Sequence, residues 1–146
     1  NTKKSQKFEG YKIYVYTLEM IVFEKLRSIC QQTEEYQNIV KCSITSRARD
    51  FFDIYNLIEN CKIDISTPEN LELLKAIFDA KNVPLKLIFG IEKYYSFHNE
   101  SFDSLKETVE YANLQLKDFN FYFSYLIKTV ENLRDKIVSK FSKILD

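Results

Sequence analysis

Tryptophan is absent from this sequence of 146 residues, and glycine and proline occur twice each. Chains built from many tight turns need those two residues, so a β-sandwich or a collagen-like repeat is excluded and helices joined by few turns remain. One histidine, His98, and three cysteines, Cys30, Cys42 and Cys61, offer neither C-x-x-C spacing nor an even count. A zinc site and a disulfide framework are therefore not expected, and no metal-binding residues are assigned. The thiols are expected to serve as small apolar side chains in a reducing cytoplasm. No apolar run approaches the length of a membrane span, and no apolar segment follows Asn1-Thr2-Lys3-Lys4-Ser5-Gln6-Lys7 as an export signal would require. Neither Gly10 nor Gly90 belongs to a phosphate-cradling glycine pattern, and D-x-D, H-E-x-x-H and a nucleophile elbow are all missing.

What is present is apolar and rich in rings. Hydrophobic residues make up 45% and charged residues 29%, which excludes disorder, and 10 tyrosines with 12 phenylalanines demand aromatic packing. The length suits one compact domain or slightly more. Lys+Arg and Asp+Glu balance at 21 each, so the whole chain has no electrostatic claim on nucleic acid or membrane. The balance is uneven along the chain: residues 1 to 49 carry nine basic and five acidic side chains, and residues 50 to 116 carry six and twelve. Either a chance dipole or a positively charged binding region accounts for that split.

Lys12-Ile13-Tyr14-Val15-Tyr16 is β-branched and aromatic and reads as one strand after a polar lead. Its partners are expected in a sheet outside this sequence, or it packs as an extended lead on helices. Thr17 caps a helix running to about Gln32, with Leu18, Ile21, Val22, Leu26 and Ile29 at helical spacing. A polar stretch from Thr33 to Ser46 has room for one helical turn near Tyr36 to Val40, and Arg49 to Asn60 regains the helical period. Pro68 after Thr67 opens a helix that ends by Asn82, and Leu85 to Tyr95 forms a short one. Ser104 and Glu107 have capping-box spacing ahead of Val109, Tyr111, Ala112 and Leu114. The longest helix spans about Asp118 to Leu145. Its apolar seam of Phe123, Leu126, Val130, Leu133, Ile137 and Ile144 is interrupted by Lys140. The expected fold is mainly α: a helical bundle from Thr67 onward, arranged around that last helix and preceded by one short strand. Packing within the chain and a dimeric coiled coil both suit the seam.

Two features conflict with the binary pattern, which is where function tends to sit. Lys25 lies inside the stripe formed by Leu18, Ile21, Val22 and Ile29. A lysine there either snorkels to water or faces an anion, whether a carboxylate of this chain or a bound phosphate. The second is Arg47-Ala48-Arg49-Asp50-Phe51-Phe52-Asp53, where Asp50 and Asp53 share one helix face and Asp50 has the more apolar surroundings. The helix dipole accounts for one aspartate in a first turn, with Arg47 and Arg49 as ordinary partners. Alternatively, Lys25 and both arginines gather around a polyanion, and the aspartates orient them or contact a metal ion. His98 sits in a presumed loop with no evident partner.

Thr17-Leu18-Glu19-Met20-Ile21-Val22-Phe23-Glu24-Lys25-Leu26-Arg27, followed by Arg47-Ala48-Arg49-Asp50-Phe51-Phe52-Asp53-Ile54-Tyr55-Asn56-Leu57, resembles the AbiEii/AbiGii-like nucleotidyltransferase toxins. Those proteins belong to type IV toxin–antitoxin and abortive-infection systems of prokaryotes. Their pattern is an E-K-L-R helix, then R-x-(K/R)-D-x-x-D-(L/I)-Y-x-L some twenty residues on. The resemblance implies a polymerase-β-like enzyme that uses a nucleoside triphosphate with Mg²⁺ and adds nucleotides to an RNA acceptor, tRNA among them. It places Lys25 at the nucleotide phosphates and makes Asp50 and Asp53 the second catalytic aspartate motif. Arg47 and Arg49 become nucleotide or RNA contacts.

The family's glycine-serine loop and D-x-D metal pair have no counterpart here. Residues 1–60 are accordingly expected to be the tail of a catalytic core and residues 61–146 a C-terminal helical bundle. The implied partners are an N-terminal catalytic region outside this sequence, the RNA acceptor and an antitoxin acting indirectly. Triphosphate and Mg²⁺ belong to the complete enzyme, and neither is expected on this chain alone. The competing expectation is a non-catalytic helical interaction module in which Lys25 and Asp50 form a structural pair.

Overall fold

A computed structural model describes the backbone at residues 4–8 and 11–146 and the side chains from residue 15 onward. Gly10 and the first three residues of the polar lead lie outside the described residues. Strand β2, Tyr11–Val15, is where the β-branched run predicts it, but its partner lies inside the chain. That partner is β1, Lys4–Phe8, antiparallel to β2 with Lys4 opposite Val15 and Phe8 opposite Tyr11. This corrects the expectation of a single strand after a polar lead, with no strand partner inside the chain. The segment Lys-Ser-Gln-Lys-Phe has little strand propensity of its own, so backbone pairing, which no period records, makes it a strand.

Seven α-helices follow among the described residues. Helix α1, Leu18–Cys30, starts where Thr17, in extended conformation, accepts the Met20 N–H on its hydroxyl at 3.3 Å. Thr33 does the same for α2, Glu34–Ile39, through the Tyr36 N–H at 3.2 Å. After α3, Ala48–Asn60, comes α4, Pro68–Ala80, with Thr67 capping Asn70 and Pro68 in the first turn. The short helix expected from Leu85 is a 3-10 helix, Leu85–Tyr94. Of its buried residues Leu85, Leu87, Ile88 and Ile91, three recur every three positions, so a three-residue turn stacks Leu85, Ile88 and Ile91 on the core, with Leu87 buried beside them.

Two short helices after it depart from the expectation. The presumed loop around His98 is α5, Tyr95–Asn99. Helix α6, Phe102–Tyr111, begins at Ser101 and not at Ser104, whose carbonyl lies inside the helix and accepts the Thr108 hydroxyl. Leu105 and Val109 are its buried residues, while Tyr111 is 95% exposed and Leu114 60% exposed, so the apolar face ends earlier than its sequence suggests.

Helix α7, Phe119–Lys140, is capped by Asp118 through the Phe121 N–H at 3.0 Å. It stops at Lys140, short of the expected Leu145, which makes it roughly 33 Å long. Phe123, Leu126, Val130, Leu133 and Ile137 are all buried, and Ile144 packs on the core from the turns beyond. Lys140 leaves the seam to meet Glu72 of α4 at 3.1 Å.

The most extensive helix contacts run from α1 to α3 and from α1 to α4, while α7 lies along α3 and the 3-10 helix. The centre of the bundle is therefore α1 and α3, not the long last helix. Phe51 of α3 is fully buried, with its ring 5.4 Å from Phe119, 5.3 Å from Phe123 and 5.0 Å from His98. One hydrophobic cluster runs from Met20 to Ile137 and so draws on residues before and after position 60.

Candidate functional site

The apolar faces of α1 and α3 fix how the two helices meet, and that in turn sets the polar groups at their edge. Met20, Phe23, Leu26 and Ile29 of α1 pack with Phe51, Ile54 and Ile58 of α3 in the same core. Lys25, on the flank of the α1 stripe, then projects across the interface. Its Nζ lies 3.0 Å from Asp53 Oδ2 and 3.3 Å from Asp50 Oδ1. The side chains are partly withdrawn from water, at 26% exposure for Lys25, 25% for Asp53 and 13% for Asp50. Arg47 Nη1 stands 3.8 Å from Asp50, and Arg49 Nε 3.9 Å from Asp53. All five residues singled out in the sequence thus come together. Asp50 was the expected partner of Lys25, and Asp53 is the nearer.

Burial works against the Lys25 ammonium, yet the hydrogen bond and charge of Asp53 and those of Asp50 outweigh it, so its pKa stands above the ordinary lysine value. Asp50 is shifted upward because its burial outweighs the pull of Lys25 and Arg47. Three cations face two carboxylates, an excess of one positive charge. A Lys ammonium has three donors and two are engaged here, so one remains for a further acceptor. Such a cluster suits phosphate oxygens. It does not suit a bare divalent cation, because both carboxylates already face the same ammonium and each has an arginine beside it. Among the described residues, no group of three or more His, Cys, Asp or Glu side chains is placed to hold a metal ion.

The N-terminus of α3, which carries four of the five site residues, has no cap of its own: Arg47 makes no side-chain capping bond. Partners distant in sequence supply it. The Arg47 N–H donates to His98 Nδ1 at 3.0 Å and the Ala48 N–H to Ser101 Oγ at 3.0 Å. Ser46 donates to the His98 carbonyl at 2.9 Å, and its hydroxyl oxygen lies 2.7 Å from that of Ser101. His98, expected in a loop without a partner, is 1% exposed and holds the start of the site helix. Burial, reinforced by the charge of Arg47, lowers its pKa to about 4, so it is a neutral acceptor at physiological pH. The sequence signal for this role is faint, one histidine near Ser101 and fifty residues from α3.

The thiols divide. Cys30 is buried, as an apolar side chain would be, and burial pushes its pKa well up, whereas Cys42 and Cys61 are exposed, against expectation. Cys61 borders a groove of about 600 Å³ that starts at Lys25 and Asp53 and runs along α3. No described helix is long and apolar enough to cross a membrane.

These observations define a mainly helical protein with three cations and two carboxylates gathered at the junction of its two central helices. Over residues 2–142 the chain matches the family model described as nucleotidyl transferase AbiEii toxin, type IV TA system, and it belongs to that family. Proteins of this family are nucleotidyltransferase-like toxins, with which a cognate antitoxin and the general use of nucleoside triphosphate and divalent metal are associated. No curated protein and no solved structure matches it.

Proposed function

We propose that this chain is the C-terminal part of a cytoplasmic nucleotidyltransferase toxin that transfers nucleotides from a nucleoside triphosphate to an RNA acceptor, tRNA being the acceptor class. Residues 1–60 carry the site and residues 61–146 the supporting bundle. The observation that carries this is the Lys25 ammonium held between Asp50 and Asp53, with Arg47 and Arg49 alongside. Lys25 contacts the triphosphate through its remaining donor, the aspartates keep it charged and aimed, and the arginines meet phosphates of nucleotide or RNA. The residues of this chain do not hold the metal. This sequence has no D-x-D pair, and two-metal transfer needs such carboxylates, so a catalytic region outside it completes the enzyme. The antitoxin acts indirectly, without occupying this cluster.

Labelled nucleoside triphosphates, Mg²⁺ and bulk tRNA test the assignment. The 146-residue chain alone is expected to leave the RNA unlabelled. In the complete toxin, Lys25→Ala and Asp50→Ala are expected to abolish labelling and growth inhibition with soluble expression retained. Robust labelling by this chain alone refutes its partial nature, and folded, fully toxic variants refute the roles of Lys25 and Asp50.

A further inference from the structure

We propose that the groove beside Lys25 seats the nucleoside half of the triphosphate, with Asn60 and Gln115 reading the edge of the base. This rests on the phosphate role proposed above for Lys25. The groove, about 600 Å³, falls in the size range of small-ligand and cofactor pockets. It begins at the cation cluster, where an anion belongs, and extends away along one face of α3. Asp53, Asn56 and Asn60 follow one another at three- and four-residue steps on that face.

The walls are apolar. Phe52 and Leu57 line the α3 side, and Leu114 closes the other. Leu114 sits there because Asn113 takes a left-handed conformation, φ 58°, which turns the chain so that the Leu114 N–H returns to the Val109 carbonyl at 3.1 Å. At 60% exposure this leucine contributes little to the core, and its position across the groove from an aromatic ring suits a flat solute held between them.

The polar groups match the same solute. Asn56 is engaged internally, donating to the Phe52 carbonyl at 2.9 Å and accepting from Asn60 at 3.3 Å. The Asn60 carbonyl oxygen and the Gln115 amide therefore remain to meet a ligand, and together they offer an acceptor and a donor, as a base edge requires. Apolar faces, an amide pair and an ammonium at one end describe a mononucleotide better than an inorganic anion or a lipid.

The cysteines supply the test. Cys61 borders the groove, Cys42 is exposed elsewhere and Cys30 is buried. N-ethylmaleimide labelling of the complete toxin, read site by site by mass spectrometry at Cys30, Cys42 and Cys61, is followed with each of the four Mg²⁺-nucleoside triphosphates and with tripolyphosphate. At least one nucleotide is expected to slow labelling of Cys61 tenfold or more and leave Cys42 unchanged. Tripolyphosphate is expected to compete with that nucleotide yet leave Cys61 open. Leu114→Arg, at an exposed position, is expected to remove the protection without loss of folding. Asn60→Ala and Gln115→Ala are expected to change the ranking of the four nucleotides and not the binding of tripolyphosphate. A nucleotide that raises the melting temperature of the complete toxin but not of its Lys25→Met variant, and leaves Cys61 unprotected, overturns the groove assignment while the phosphate role stands. An unchanged ranking in both amide variants overturns the base reading. Absence of binding by every nucleotide and by tripolyphosphate overturns both proposals together.

Discussion

Lys25 of α1 and Asp53 of α3 are 28 positions apart in sequence and meet at 3.0 Å, with Asp50 taking a second donor of the same ammonium at 3.3 Å. The nearer carboxylate is the more exposed, 25% against 13%. Distance and burial therefore favour different partners. A change of 0.3 Å alters a Coulomb term by roughly a tenth, whereas withdrawal from water changes the effective dielectric severalfold, so burial decides.

Lys25→Met is accordingly expected to lower stability by about 1–2 kcal/mol, more than an exposed ion pair contributes and less than a fully buried one. In double-mutant cycles by urea denaturation, Asp50→Asn should couple to Lys25→Met more strongly than Asp53→Asn does. A larger coupling to Asp53 shows that distance prevails.

His98 makes folding sensitive to acid. Its folded pKa, about 4, lies below the ordinary value of 6.5, so the folded state disfavours the proton. The resulting stability is fully present above about pH 6.5 and is lost as pH falls toward 4, by roughly 3 kcal/mol in all. His98→Asn keeps an acceptor for the Arg47 N–H but cannot titrate. Denaturation midpoints measured across that window should fall less steeply for the variant, and identical slopes would exclude His98 as the source.

Ser101→Ala removes the acceptor of the Ala48 N–H, at a residue with no exposed surface. An orphaned buried donor costs about 1–3 kcal/mol. Faster amide hydrogen exchange should appear at Ala48 and Arg49, at the start of the site helix, before it appears at the far end of α3. Uniform change along α3 would mean that Ser101 does not act as its cap.

Leu126→Ala in the α7 seam is expected to cost about 2–5 kcal/mol through the cavity it leaves. Tyr111→Ser, at 95% exposure, should stay within about 0.5 kcal/mol of the parent, although both residues sit in apolar sequence patterns. Calorimetry on the pair checks whether α6 truly ends its buried face at Val109.

Most helices are legible in the sequence because their causes are local. Thr17, Thr67 and Asp118 each cap the third residue on, and helical periodicity assigns the buried faces of α3 and α7, but only part of that of α1, where Leu18 is exposed and Met20, Phe23 and Cys30 are buried in addition to Val22, Leu26 and Ile29. The same local period makes Lys25 and Asp50 visible as misfits, since a charge within an apolar stripe needs a partner wherever the chain folds. The resemblance of the sequence around Lys25, Asp50 and Asp53 to the family pattern is what suggests the proposed chemistry for that misfit.

Other features depend on residues far apart in the chain, and no window of the sequence contains their cause. Strand β1 exists through pairing with β2. The start of α6 is set by Ser101 meeting Ser46, 55 positions away, and not by the capping-box spacing at Ser104. His98 acquires its partner 51 positions back, at Arg47. Leu114 is left at the rim of a groove by the left-handed turn at Asn113. Hydrogen bonds and caps within one turn follow from neighbouring residues, so composition and order suffice for them. The cation cluster with its excess charge, the borrowed cap beneath it and the groove beside it arise only when α1, α3, α5 and the α6–α7 connection pack together, because each is assembled from groups whose proximity the fold alone creates.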